Sequence, residues 1–546
     1  MPHDPLTRLL QKAFASAARQ AASAPAASVQ ATPGQAPEPR SLDRRHFLRQ
    51  SALAAGALFI PPILRAGLTG LPPTGNKVVI VGAGMAGLNA AWQLKQQGIP
   101  SMIYEASARV GGRMFTIKDR FGPGLTTDIG GEFVDSTHSD ILALVKQLNL
   151  NLYDLHKDDL TPKTFWFEGR LLGEKDLREA LAPYITQLMK DIHSFPAVIS
   201  HETAAGFRQF DEMTILEYLR SIGVSGWLLK FLDVVLTREY GMEAAEQSAI
   251  NFLIMFEAPA PADSDYELFG QDHEVFKIQG GSQHLTDVLY AQVRDQVVLQ
   301  QRLIAIHPNP HRGYDLHFES ATAQSNPGGP DTTTPQITGS QTVIQADHVI
   351  LTIPFTILRT IDLTVPMPAA KRKCIDEIGY GNSCKFIMGV REKPWRQAGR
   401  QGYTFTDLSF GCGWDSSQLQ SDHEGSFTVF GGGHFAEDVQ KTKGEELAGQ
   451  YLSALDTIHP GAAKAYTGKY MKYCWAGHPY SRAGYSSFKR GQWSTLAGWE
   501  GWPIGNIYFA GEHVSREFQG YMNGAAQTGR VAAEAIIKKL TIAHHE

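Results

Sequence analysis

The chain has 546 residues, 43% of them hydrophobic and 19% charged, with a formal net charge of −5. That length supports two or three domains with sizeable cores, and the mildly acidic balance gives no electrostatic basis for binding nucleic acid. The four cysteines, Cys374, Cys384, Cys412 and Cys474, form no C-x-x-C pair, and no H-E-x-x-H pattern occurs. Neither a metal site nor a disulfide scaffold is therefore indicated.

Residues 1–40 are rich in Ala, Pro, Ser and Gln and read as a disordered extension. Residues 41–70 contain Asp43-Arg44-Arg45-His46-Phe47-Leu48-Arg49 and then an apolar stretch, 51–64. Twin arginines before a short apolar run resemble a twin-arginine export signal. The run is short for a membrane span. The expectation is a folded protein carried by the twin-arginine export machinery to a bacterial periplasm. No A-x-A cleavage site is evident, which leaves open that the segment stays as a tether. The plainer alternative is a basic patch beside a surface helix.

The folded part is expected to begin near Asn76. An apolar run, Val78–Val81, meets Gly82, Gly84 and Gly87 in G-x-G-x-x-G spacing. A helix-period segment, 86–97, follows, then Gly98 as a stop and a second strand, Ser101–Tyr104, ending at Glu105. Gly82 permits the tight turn, Gly84 lets backbone approach a pyrophosphate, and Gly87 lets helix pack on strand. The phosphate charge is expected at the helix N-terminus, around Met85 and Ala86, where free N–H groups point at it. Glu105 is placed to take ribose hydroxyls and disfavours a 2′-phosphate. Strand, glycines, helix, strand and acid together define a dinucleotide-binding unit.

Residues 139–240 have mostly helical periodicity. A strand-like stretch, 276–282, leads into a helix at 284–293, and 297–306 reads as a further strand. Residues 321–340, with SNPGGPDTTTP at their heart, read as a polar surface hairpin. Strand character returns at 347–353 and 506–512, followed by a helix at 524–540. The expected fold class is α/β: a Rossmann-like dinucleotide domain built from discontinuous segments, 76–138, 271–354 and 475–542. An α+β substrate domain, 139–270 and 355–474, is inserted between them.

The order of motifs then points to a family. VGAGMAGL, EASARVGGRM, DIGGEF, IQGGSQHLTDVL, ADHVILTIP, GNSCK, YSRAGY and YFAGEHVSREFQGYMNGAAQTGR occur in sequence across residues 76–540. In this the chain resembles the flavin-containing amine oxidases, which include monoamine, polyamine and L-amino-acid oxidases. The resemblance implies FAD. It places Gly111, Gly112 and Arg113 at the pyrophosphate, Gly130, Gly131 and Glu132 near the flavin ring, and the Leu303 backbone at the adenine. Glu512, after Gly511, is implied near the ribityl and pyrophosphate. Met522 opens a helix whose N-terminus faces the flavin, and Trp475 joins the cofactor shell.

Three residues are implied in the reaction. Lys385, in GNSCK, matches a lysine that holds a water against flavin N5. Tyr485 and Tyr521 match two aromatic residues that face each other before the flavin and guide an amine nitrogen toward it. The chemistry implied is hydride transfer from the amine α carbon to N5. The imine then hydrolyses, and O₂ is the acceptor that yields hydrogen peroxide. Mitochondrial-type monoamine oxidases carry a flavin-linked cysteine before the first cage tyrosine. Here that residue is Gly484, so FAD is expected to be non-covalent, and Cys474 reads as a small buried residue.

The substrate is expected to be a primary or secondary amine. Phe133 stands where amino-acid oxidases of the family have a carboxylate-gripping arginine, and Tyr521 where many have tryptophan. Arg482 and Arg516, near the cage tyrosines, keep an L-amino-acid oxidase open as the alternative, and Glu132 with Asp135 suggests attraction of a second ammonium. A flavin dehydrogenase using a periplasmic electron acceptor would share every motif. A non-catalytic FAD-binding protein is a further reading, and assembly is left between monomer and homodimer.

Overall fold

In the computed structural model the described residues are 77–196, 198–255, 274–322 and 336–543. The extension at 1–40 and the signal-like segment at 41–70 lie outside them.

Four buried apolar residues in succession make β1 (Val78–Val81) a strand covered on both faces. It sits at the centre of a parallel sheet with β2 (Ser101–Tyr104), β10 (Val297–Val298), β14 (His348–Leu351) and β21 (Ile507–Phe509), in the order β10-β2-β1-β14-β21. Val78 is in register with Ser101 on one side and His348 on the other. Start, middle and end of the chain thus meet in one sheet. Two helices, α1 (Met85–Gln96) and α4 (Met522–Ala543), pack closely beside it: Asn89 Nδ2 donates to the Ala526 carbonyl at 2.7 Å. A third, α3 (Ser282–Val293), shares their apolar core through Leu285 and Leu289.

Two smaller sheets frame the parallel one. Strands β3 (Thr116–Lys118) and β4 (Thr126–Asp128) form a hairpin. β5 (Phe133–Val134), β9 (Phe276–Ile278) and β6 (Leu152–Asp154) form a three-stranded antiparallel sheet. A four-stranded sheet has the order β13-β12-β11-β15, from β11 (Gln301–Pro308), β12 (Tyr314–Thr322), β13 (Gln336–Ala346) and β15 (Asp362–Leu363). β12 and β13 pair antiparallel out to Thr322 and Gln336, as a hairpin at 321–340 requires. Residues 323–335 lie outside the described residues.

The remaining layer is a seven-stranded sheet ordered β20-β16-β19-β18-β17-β7-β8. Its members are β7 (Thr161–Phe167), β8 (Arg170–Leu172), β16 (Cys384–Val390), β17 (Arg400–Thr406), β18 (Cys412–Asp415), β19 (Gly425–Gly431) and β20 (Tyr466–Cys474). One face is covered by helices that include α2 (Gly226–Tyr240), through Phe231 against Phe165 and Phe405.

The structure corrects two expectations and adds to a third. The span 139–240 is mostly helical, as expected, but β6, β7 and β8 also fall inside it; β7 finds its partner in β17, more than 200 residues away, which local periodicity cannot reveal. The stretch 297–306 is two strands in two different sheets, divided where Gln300 takes a φ of +58°. Lastly, Cys384 and Cys474 are joined by a disulfide, although 90 residues separate them. They are the opposed ends of β16 and β20, so strand register brings them together and Cys474 is not a mere small filler. Cys374 and Cys412 are free and buried.

Candidate active site

A single cavity runs from the β1–α1 turn and Glu105 to Tyr485 and Tyr521. Nearly every residue expected at the cofactor lines it: Gly82, Gly84, Met85, Ala86, Glu105, Gly111, Gly112, Arg113, Gly130, Gly131, Glu132, Leu303, Trp475, Gly511, Glu512 and Met522. Gly87 does not, and its geometry explains why. A Cβ there would lie 2.0 Å from the Gly82 carbonyl oxygen, so this glycine serves the packing of helix on turn. Gly82 has φ +101° and takes the tight turn. At Gly84 a Cβ would meet nothing closer than the Gly112 Cα at 3.8 Å; the space beside it belongs to the cavity. Glu105 accepts from the Ala83 N–H at 2.7 Å and from Ser107, which fixes its carboxylate beside the mouth of that turn.

Glu512 is the hub of the middle section. It is buried and accepts from Arg113 Nη1 at 2.9 Å, Ser486 Oγ at 2.8 Å and the Gly520 N–H at 3.0 Å. Arg113 also donates to the Gly484 carbonyl. Burial works against the Glu512 charge, yet the Arg113 guanidinium and the Ser486 hydrogen bond, among other contributions, outweigh it and hold the pKa below the ordinary range. Gly484 and Ser486 flank Tyr485, and Gly520 precedes Tyr521. One ion pair therefore ties both cage loops to the dinucleotide frame.

Lys385, on β16, is buried, not a solvated surface lysine. Its ammonium donates to the Asp128 carbonyl at 2.8 Å, the Gly130 carbonyl at 3.0 Å and Glu132 Oε2 at 2.8 Å. An ammonium has three N–H bonds, and all three are taken by protein acceptors. The water-holding role implied by resemblance requires one of them to be released. Glu132 is equally committed. Its Oε1 accepts from Lys277 Nζ at 2.7 Å and Trp414 Nε1 at 3.1 Å. Burial opposes its charge, but Lys277 and Lys385 together depress its pKa. Asp135 accepts from the Glu274 N–H at 2.8 Å and lies 3.4 Å from His138. Both carboxylates are thus engaged by protein groups while lining the cavity.

At the far end, Tyr485 donates its hydroxyl to the Arg238 carbonyl and Tyr521 donates its hydroxyl to Glu239 Oε1, each at 2.8 Å. The two expected cage tyrosines are thus pinned by consecutive residues at the end of α2. Gly520 brings their loops together, since a Cβ there would lie 3.5 Å from the Tyr485 ring. The Arg238 side chain is a cavity residue that sequence reasoning missed. It pairs with Glu274 at 3.2 Å and Glu239 at 3.9 Å, and its guanidinium lies 5.6–5.7 Å from the centroids of Tyr403, Trp414 and Phe430. Arg482 and Arg516, the two arginines singled out from sequence, do not line the cavity. No motif marks Arg238 or Lys277; one sits in an ordinary amphipathic helix and the other in a short alternating strand.

Comparison with known proteins agrees with this geometry. The family model described as flavin containing amine oxidoreductase matches residues 85–537. The chain belongs to that family. It is 24% identical to bovine amine oxidase [flavin-containing] A over 85% of each chain. It is 25% identical to the putative L-amino-acid oxidase YobN of Bacillus subtilis, covering 84% of this chain and 94% of that one. Among solved structures, cyclohexylamine oxidase from Brevibacterium oxydans superposes with a TM-score of 0.71 at 20% identity, covering 85% of this chain and 99% of that one. The protein is an FAD-dependent oxidoreductase with an α/β FAD-binding fold. The open Gly84 cradle at the α1 N-terminus, Glu105 beside it and the continuous cavity fit that cofactor.

Proposed function

We propose that this enzyme oxidises a primary or secondary amine rather than an amino acid. Bound FAD would supply the hydride-accepting chemistry at the amine α carbon, with O₂ taking the electron pair as hydrogen peroxide and the imine hydrolysing to an aldehyde or ketone plus ammonia or an amine. The protein's part is to hold, orient and desolvate. Tyr485 and Tyr521 offer π faces to the amine nitrogen, and their hydroxyls are anchored so that the rings keep their separation. Lys385 and Glu132 form the polar wall beside Gly130.

The observation carrying this reading is the charge around Arg238. A carboxylate clamp needs an arginine with charge to spare, and this one is matched against Glu274 and Glu239. Two carboxylates already placed around this guanidinium suit a cationic or neutral amine better than an α-carboxylate. Arg238 nonetheless keeps the L-amino-acid oxidase as a second reading, because its carbonyl accepts from the Tyr485 hydroxyl and its side chain lines the same cavity. A matched pair decides between them: phenethylamine and L-phenylalanine differ only in the carboxylate. Turnover of the amine at least tenfold faster supports the proposal, and faster turnover of the amino acid overturns it. Peroxide formed in step with amine consumed separates an oxidase from a dehydrogenase that needs a dye acceptor.

Two further features belong to this reading. FAD is bound without a covalent link: at Gly484 a Cβ would lie 2.6 Å from Ser383 Oγ, leaving no room for a cysteine side chain without rearrangement. Residues 41–70 act as a twin-arginine signal, and the enzyme works in the periplasm; the Arg44-Arg45 pair and the apolar run behind it support this. Intact mass after acid precipitation and cell fractionation test the two points in turn.

A further inference from the structure

Lys277 is not a cavity residue, is not part of any motif that carries the amine chemistry, and is nevertheless buried (exposure 3%) in a salt bridge. It is delivered by β9, where it stands opposite Phe133 of β5, one residue from Glu132. Its Nζ donates to Glu132 Oε1 and to the Ser416 carbonyl, both at 2.7 Å. Burying an ammonium costs several kcal/mol, and an apolar side chain of similar volume would usually serve the fold as well. Its charge therefore calls for a role beyond packing.

Glu132 supplies the link. Its two oxygens are divided: Oε1 belongs to Lys277 and Trp414, Oε2 to Lys385. With Oε1 occupied, the carboxylate cannot rotate away from Lys385. The three charged groups sum to +1, and the next carboxylate, Asp128, spends its Oδ1 on Thr116 and Ser282. Burial and the neighbouring Glu132 raise the Asp128 pKa, against the lowering by Thr116, Lys277 and Lys385. The bridge itself, with the Asp128 carboxylate turned to Thr116 and Ser282, fixes a positive excess beside the cavity wall at Gly130–Glu132, where the flavin ring is implied.

We propose that Lys277 is a positioning residue: through Glu132 it fixes the Lys385 ammonium, and the buried Lys277–Glu132–Lys385 bridge favours electron uptake by the bound flavin through its one excess positive charge. The inference rests on the amine-oxidising reading for the role of Lys385, whereas the flavin potential is read without any substrate.

The test uses the full-length FAD-loaded enzyme. The midpoint potential is measured by reductive titration against a reference dye, and the rate of flavin reduction by amine is measured anaerobically. Lys277→Met should lower the flavin reduction equilibrium about tenfold, which is about 30 mV for a two-electron couple, and slow reduction by amine. Lys277→Arg should keep the potential within threefold of wild type. An unchanged potential in Lys277→Met with full FAD content overturns the proposal. If Lys277→Met does not retain FAD, the double variant Glu132→Gln/Lys277→Met decides, since it removes one charge of each sign. Its potential should stay within threefold of wild type while reduction by amine slows at least tenfold, because Lys385 has lost its anchor. Reduction at the wild-type rate in the double variant overturns the proposal. Failure of wild-type flavin to be reduced by any amine would instead remove the reading on which the role of Lys385 rests.

Discussion

Replacing Glu512 by Gln isolates what holds the cage to the cofactor frame. The side chain keeps its size but loses its charge, and one oxygen becomes an N–H₂ group facing donors. If the amide nitrogen takes the Oε1 place, it confronts Arg113; if it takes the Oε2 place, it confronts the Gly520 N–H and displaces the Ser486 hydroxyl. Either way a buried charge-assisted contact is lost and a donor is left facing a donor. Such losses cost about 3 kcal/mol, from roughly 1.5–3 for a hydrogen bond to a charged group and 3–5 for breaking a buried ion pair. Thermal unfolding followed by flavin fluorescence should show a lowered Tm. Amine turnover should fall more than FAD content, because Tyr485 and Tyr521 lose their common tether. The linkage has a definite sign. The folded-state pKa of Glu512 is depressed, so its contribution is present above the ordinary carboxylate pKa, about 4.3, and is lost as pH falls through the lower folded value. The variant should therefore lose part of the wild type's acid-induced drop in Tm. A Glu512→Gln protein with wild-type Tm and turnover would refute the argument.

Three further outcomes follow from the geometry. Tyr521→Phe removes the hydroxyl bond to Glu239 but leaves the ring; kcat/KM should drop about tenfold, in line with a bond to a charged group, with FAD content unchanged, and Glu239→Gln should resemble it in steady-state kinetics. Reducing the Cys384–Cys474 disulfide, or replacing both cysteines by Ala, should destabilise the protein by about 4.6 kcal/mol in the chain-entropy account of a 90-residue loop; denatured protein should titrate two thiols before reduction and four after, and four before reduction would contradict the pairing. Because an alkylammonium titrates near ~10 and only about one molecule in 10³ is neutral at pH 7, kcat/KM should rise tenfold per pH unit from pH 7 to 9, and a flat profile would exclude a need for neutral amine.

Much of the cofactor side was legible in the sequence because its demands are local. The turn at Gly82, the open approach at Gly84 and the acid at Glu105 lie within one strand–helix–strand unit, and the strand bounds Val78–Val81 and Ser101–Tyr104 match the structure. Gly130 is different in kind: it was read as a close approach to flavin, yet a Cβ there would strike the Arg113 carbonyl oxygen at 1.8 Å, so contact within the protein already demands glycine. What stayed hidden depends on register between distant strands. Cys384 meets Cys474, and Lys277 meets Glu132, only because β16 pairs with β20 and β9 with β5. Arg238 is hidden for a similar reason: its helix looks ordinary until the loops of Tyr485 and Tyr521 are folded against its end. The arginines nearest those tyrosines in sequence, Arg482 and Arg516, do not line the cavity, because adjacency along a loop does not set direction.

The most direct measurement is anaerobic titration of the flavin absorbance with primary amines, secondary amines, diamines and L-amino acids. The account predicts rapid bleaching by amines and little by amino acids, with colour returning when O₂ is admitted and peroxide released. Bleaching by amino acids alone would contradict it and assign Arg238 to the substrate carboxylate.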